Sequence, residues 1–161
     1  MYLLDANVFI DAKNRYYGFD IVPAFWDWLQ QAHEAGKVFT VQHVYDEIVA
    51  SGDDLSAWIK AMPATFRIAP SPNDQASLGA LSQWAVSSQN YNQGAVSTFL
   101  ASADYFLVAQ AHSRSYTVVT HEVAGSGSKK SVKIPDACNA VGVAWMTPFK
   151  MLSTEQVRFR L

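Results

Sequence analysis

Cysteine is nearly missing from this chain: Cys138 is the only one in 161 residues. An internal disulfide is therefore impossible, and no cysteine cluster exists to hold zinc or an iron–sulfur centre. No stretch approaches the ~20 consecutive apolar residues of a membrane span. The opening Met1-Tyr2-Leu3-Leu4-Asp5 has no basic region and reaches an acid at position 5, which is not the pattern of a signal peptide. These absences lead to the expectation of a reducing, cytoplasmic setting with no membrane partner. A glycine-rich dinucleotide fingerprint and a P-loop are also lacking. So is a strong charge of either sign: the net charge is −2 and the pI is near 6.0. A basic footprint, usual in nucleic-acid binders, is therefore not visible in the total. Acids gathered in one site hide a local basic surface from that sum, and bound divalent ions reverse the sign of such a site's field.

Aromatic residues are plentiful: five Trp, seven Tyr and nine Phe. Half the residues are apolar and 16% are charged, a globular composition and not that of a disordered tail. The length fits one domain over residues 1–161. Tyr2-Leu3-Leu4 reads as a buried strand, and Val8 to Ala12 as the start of a helix. Ile21, Phe25, Leu29 and Ala32 recur at helical spacing, ending at Gly36. Val38–Val41 is a second strand, followed by a helix from about Gln42 to Ala50. Asp53 or Asp54 caps a helix bearing Leu55, Trp58, Ile59 and Met62, and Phe66-Arg67-Ile68 is a short third strand.

Pro70–Asn73 turns into a helix containing Leu78, Leu81 and Trp84. Ser87 to Gly94 is loop-like. The spacing predicts one helix from about Ser97 to His112, then a strand over Thr117–Thr120. Gly125–Lys130 reads as a mobile basic loop. A helix begins near Pro135, a strand lies around Val143 to Trp145, and Thr147-Pro148 starts a last helix. Val157 to Leu161 is an extra strand or a tail. Alternating strands and helices imply a three-layer α/β/α fold around a parallel sheet of four to five strands. The irregular stretch from Gly52 to Gly94 is expected as a helical insertion.

In such sheets, sites form at the carboxyl ends of the strands, where strand order switches. Asp5 ends the first strand and Glu122 follows the Thr117–Thr120 strand. Asp104 falls four residues after Leu100 and three before Leu107, inside an apolar helical face, where an acid is costly unless paired or bound to a metal. Glu47 flanks the inner face of the helix after Val41. Each acid also has a plainer role: helix cap for Asp5, solvated edge for Glu47, salt-bridge partner for Asp104 and loop acid for Glu122. Together they suit a hard cation such as Mg²⁺, which takes one or two carboxylates, water and substrate phosphate. Four acids suffice for one ion or two.

This pattern resembles the PIN-domain family, the PilT N-terminus-like ribonucleases that include VapC-like toxins. Leu3-Leu4-Asp5-Ala6-Asn7-Val8-Phe9-Ile10 looks like the family's first strand and catalytic Asp. Val44-Tyr45-Asp46-Glu47-Ile48 looks like its helical Glu motif, and Ala103-Asp104-Tyr105-Phe106-Leu107-Val108-Ala109-Gln110-Ala111 like its third motif. Val118-Val119-Thr120-His121-Glu122 stands where the family has a strand, a Thr and a fourth acid. The likeness runs from Met1 to about Leu152, more loosely in the middle. The usual fourth acid is Asp; here it is Glu122, and Asp136 competes for the role, with a first-turn acid favoured by the helix dipole as its alternative. The resemblance implies a Mg²⁺- or Mn²⁺-dependent endoribonuclease acting on RNA. It also implies the toxin of a type II toxin–antitoxin pair, with an antitoxin protein and a homodimer as partners.

Asn7, Thr120 and Ser102 are candidates for orienting the carboxylates, against turn formation for Asn7 and strand propensity for Thr120. Lys129, Lys130 and Lys133 are candidates for phosphate contacts, against a solvated loop. Tyr16, Tyr17 and Trp26 are either base-stacking groups or core. His121, beside Glu122, points to the opposite face if the strand continues, which argues against a ligand role. His43 and Glu47 share helical spacing but lack a third zinc ligand nearby. The competing function is a PIN-like module that binds a protein and has lost its chemistry. A phosphatase-like hydrolase with Asp5 as nucleophile is a third reading; such enzymes usually carry a second Asp two residues on, where Asn7 stands.

Overall fold

The computed structural model describes residues 1–125, 127 and 129–159. Five short strands form one sheet: β1 (Tyr2–Leu4), β2 (Val38–Val41), β3 (Arg67–Ile68), β4 (Thr117–Val119) and β5 (Trp145–Met146). All pairs are parallel, in the order β3-β2-β1-β4-β5. The three inner strands β2, β1 and β4 are mostly buried and rich in β-branched residues or leucine, as strands covered on both faces must be, while the edge strands β3 and β5 are half-buried. Leu3, Leu4, Val38, Val41, Val118 and Val119 are all fully inside.

Helices join and cover them in the three-layer plan: α1 (Ala6–Asp11), α2 (Pro23–Glu34), α3 (Gln42–Ala50), α4 (Asp54–Ala61), α5 (Gln75–Ser87), α6 (Gln93–Leu100), α7 (Ala103–Arg114), α8 (Ile134–Val141) and α9 (Pro148–Thr154). Among the described residues, no helix is long and apolar enough to cross a membrane.

The chain walks outward from β1 to β2 to β3, then returns to β4 on the other side of β1. Strand order therefore switches between β1 and β4, and the crevice beyond their carboxyl ends is where ligands bind in open parallel sheets. Leu4 sits opposite Val119, and the Asp5 N–H donates to the Val119 carbonyl at 3.0 Å. Residues 5 and 120 thus leave the sheet side by side.

Several expectations need correction. Ile21 is not part of a buried helical face: α2 begins at Pro23, whose ring fixes the first turn, and Ile21 is exposed. The helix expected from about Ser97 to His112 is two helices. Ser102 adopts an extended backbone (φ −93°, ψ 162°) and its hydroxyl donates to the Phe99 carbonyl at 2.7 Å, which ends α6 and starts α7. Leu100 and Asp104 therefore do not share one face, and Asp104 stands in the first turn of α7. Within the stretch from Gly52 to Gly94, the expected third strand does form, as Arg67–Ile68 paired with β2. The last strand is Trp145–Met146, two residues later than Val143. Val157–Phe159 form no strand; Arg160 and Leu161, with Ser126 and Ser128 of the basic loop, lie outside the described residues.

Beyond α1 the chain enters a π-helical turn over Ala12–Tyr16, closed by the Tyr17 N–H donating to the Ala12 carbonyl at 2.6 Å.

Candidate metal centre

Asp5 occupies the N-cap position of α1 yet makes no side-chain capping bond. Its carboxylate turns instead to β4, where the Thr120 hydroxyl donates to Asp5 Oδ2 at 2.9 Å. The same hydroxyl oxygen accepts from Asn7 Nδ2 and from the Glu122 N–H, both at 3.1 Å. A threonine hydroxyl has one proton and two lone pairs, so Thr120 is fully used. Asn7 completes the frame by accepting the His121 N–H on Oδ1 at 3.1 Å. Thr120 thus bonds the Asp5 carboxylate directly and Asn7 reaches it only through Thr120, which lies wholly inside.

Asp5 is only 5% exposed. Burial first, then the negative charges of Asp104 and Glu122, raise its carboxyl to about 8; the Thr120 hydroxyl and the Ala6 amide offset this only in part. Asp104 is raised to about 6, again by burial first, then by Glu122 and Glu47, with Lys133 opposing. Asp104 and Glu122 therefore act on Asp5, and Glu122 and Glu47 act on Asp104. Each comes from a different element: the end of β1, α3, α7, and the loop after β4. Cys138 of α8 feels the same charges. Burial and then Asp5 and Glu122 push its thiol up to about 12, which keeps it protonated and inert.

Glu122 is partly engaged elsewhere. Its Oε2 accepts the Ile134 N–H at 2.7 Å, capping α8, and its Oε1 lies 4.0 Å from Lys133 Nζ. Glu47 is exposed on α3. Among the described residues, no group of three or more His, Cys, Asp or Glu side chains stands in metal-ligand geometry. The donor chemistry nonetheless fits a hard cation: the four acids offer oxygen only, and Mg²⁺ needs just one or two carboxylates from the protein.

The other candidates fall outside this cluster or at its rim. Asp136 accepts the Gly125 N–H on Oδ1 at 3.0 Å and lines a separate cleft of about 610 Å³ with Trp84, Tyr91 and Lys129. The charges felt by Asp5 and Asp104 are those of Glu122, not of Asp136. Ser102 ends α6 and does not orient a carboxylate, but it lines a cavity of about 100 Å³ with Asp104, Lys130 and Ser131. Lys129 and Lys130 are exposed, and Lys133 is half-buried beside Glu122. His43 stacks on Phe106, ring centroids 3.6 Å apart and nearly parallel at 3°, so its ring packs on α7. Trp26 belongs to the core, whereas Tyr16 stands outside it in contact with His121 and Phe149. The sequence carried no signal for Phe149, which reaches this edge only because β5 pairs with β4.

No curated protein and no solved structure matches the chain. Residues 2–159 match the family DUF4411, a domain of unknown function, and the chain belongs to that family.

Proposed function

We propose that the carboxylates at the β1/β4 switch point form a Mg²⁺- or Mn²⁺-dependent endoribonuclease site of the PIN type. One observation carries this reading: Asp5 is buried at the crevice where ligands bind in such sheets, and the charges acting on it are of its own sign. A structural acid at that depth is normally paired with a cation.

Asp5 and Asp104 are the residues that would hold the ion, with Glu122 and Glu47 as the further acids whose charges reach them. The chemistry such an ion supplies is polarisation of a phosphoryl oxygen and activation of water. The chain's own groups do the positioning. Thr120 locks the Asp5 rotamer, Asn7 ties the loop after β4 to α1, and Lys133 offers positive charge beside Glu122 for a phosphate. RNA as substrate, a cytoplasmic setting, a toxin role, an antitoxin partner and homodimerisation rest on the PIN resemblance.

Purified protein is expected to cut single-stranded RNA when Mg²⁺ or Mn²⁺ is added. Asp5→Asn and Asp104→Asn should abolish this while keeping the circular dichroism of the folded chain. Equal residual activity in wild type and both variants refutes the nuclease reading. A PIN-like module that binds a protein and does no chemistry is the second reading. The capture of Glu122 by the Ile134 amide favours it, and it predicts no metal binding at all.

A further inference from the structure

Three aromatic rings meet at the same sheet edge, beyond the core. Tyr16 and Phe149 are 44% and 46% exposed. Tyr16 lies 5.4 Å from the His121 ring and 5.1 Å from the Phe149 ring, and His121 lies 5.6 Å from Phe149. His121 is set between Thr120 and Glu122, with its N–H held by Asn7, so the trio adjoins the acids through one residue of backbone.

Separate features of the fold build this cluster. Tyr16 ends the π-helical turn, where a bond back over five residues replaces the usual four. The extra residue changes the direction in which position 16 leaves the helix. Such turns in otherwise α-helical segments are frequent at functional sites. Phe149 comes from the first turn of α9, just past the carboxyl end of β5. Arg15, next to Tyr16, keeps its side chain largely exposed while pairing through Nε with Asp11 at 3.4 Å.

We propose that Tyr16, His121 and Phe149 form a stacking platform for a nucleobase of single-stranded RNA flanking the phosphate held at the carboxylates. The proposal rests on the nuclease reading and adds where the neighbouring nucleotide sits. Single-stranded RNA is held by stacking of splayed bases on aromatic side chains and Arg planes. Two exposed rings and a half-buried imidazole near a guanidinium, one residue from an acid of the site, match that chemistry. An aliphatic patch would instead point to a protein.

The test measures binding of a short fluorescein-labelled single-stranded RNA to the full chain in chelator, and cleavage of it in Mn²⁺. Tyr16→Leu and Phe149→Leu keep apolar bulk and remove the rings. Each should weaken binding about tenfold and raise KM similarly, since stacking contributes this much per base. Phe149→Trp should restore both. RNA lacking the flanking base should bind wild type as weakly as intact RNA binds the variants. If wild type cleaves RNA and both Leu variants bind and cleave like it, the platform is overturned and the nuclease reading stands. If wild type neither binds nor cleaves RNA, both fall. If the Leu variants bind RNA normally but sediment as a smaller species than wild type, the patch is a self-association surface and the platform is overturned.

Discussion

Asp5 and Asp74 are both aspartates, both buried, and oppositely equipped. Asp74 is 1% exposed. It accepts from Ser113 Oγ at 2.7 Å and Arg114 Nη1 at 2.5 Å on one oxygen, and from Gln110 Nε2 at 3.1 Å and the Ser71 N–H at 2.8 Å on the other. Burial pushes its carboxyl up, but these donors win and hold it down at about 2. Asp5 is raised to about 8 by burial and by two neighbours of its own sign. The first site is complete without any addition: it pins the turn before α5 to the end of α7. The second is a carboxylate kept in an environment that penalises its charge, the condition on which the proposed cation site rests.

The largest expected effect breaks the complete site. Asp74→Ala leaves Arg114 without its carboxylate and should destabilise the protein by about 3–5 kcal/mol, the usual cost of removing one partner of a buried pair. Urea denaturation measures it. The same technique should give the opposite sign at the other site. In metal-free protein, Asp5 and Asp104 bind protons more tightly folded than unfolded, so stability falls as pH rises from about 4 toward 8. At pH 8, Asp104→Asn should therefore be more stable than metal-free wild type by on the order of 2 kcal/mol, with the gap closing in acid. Asp74 works the other way: its stabilisation is present above about pH 4 and lost as pH falls through about 2.

A smaller effect sharpens the comparison. Thr120→Val removes the hydroxyl that Asp5, Asn7 and Glu122 share and leaves buried polar groups unsatisfied. It should destabilise by about 1–3 kcal/mol and slow RNA cleavage, while Thr120→Ser should restore most of both.

How much of this was legible in the sequence varies by site. The strand ends carrying Asp5 and Glu122 were readable, because short apolar runs stop at polar residues. The mutual action of Asp5, Asp104 and Glu122 followed from that plan. Asp104 does not interrupt an apolar stripe with Leu100, because the two residues lie on different helices. The break at Ala101-Ser102 carries no Gly or Pro, so α6 and α7 read as one helix, whereas Asp104 stands in the first turn of α7. The Asp74 site was invisible, since Arg114 lies 40 residues away and only the α5–α7 packing joins them. The π-helical turn had no sequence signal either, so Tyr16 could not be separated from the core aromatics Phe25 and Trp26.

The central claim is that the acids at the β1/β4 switch point hold a divalent cation. Calorimetric titration of Mn²⁺ into the metal-free protein tests it most directly. Saturable binding to wild type that weakens at least about tenfold in Asp104→Asn is the predicted result. No binding, or equal binding by wild type and Asp104→Asn, contradicts it.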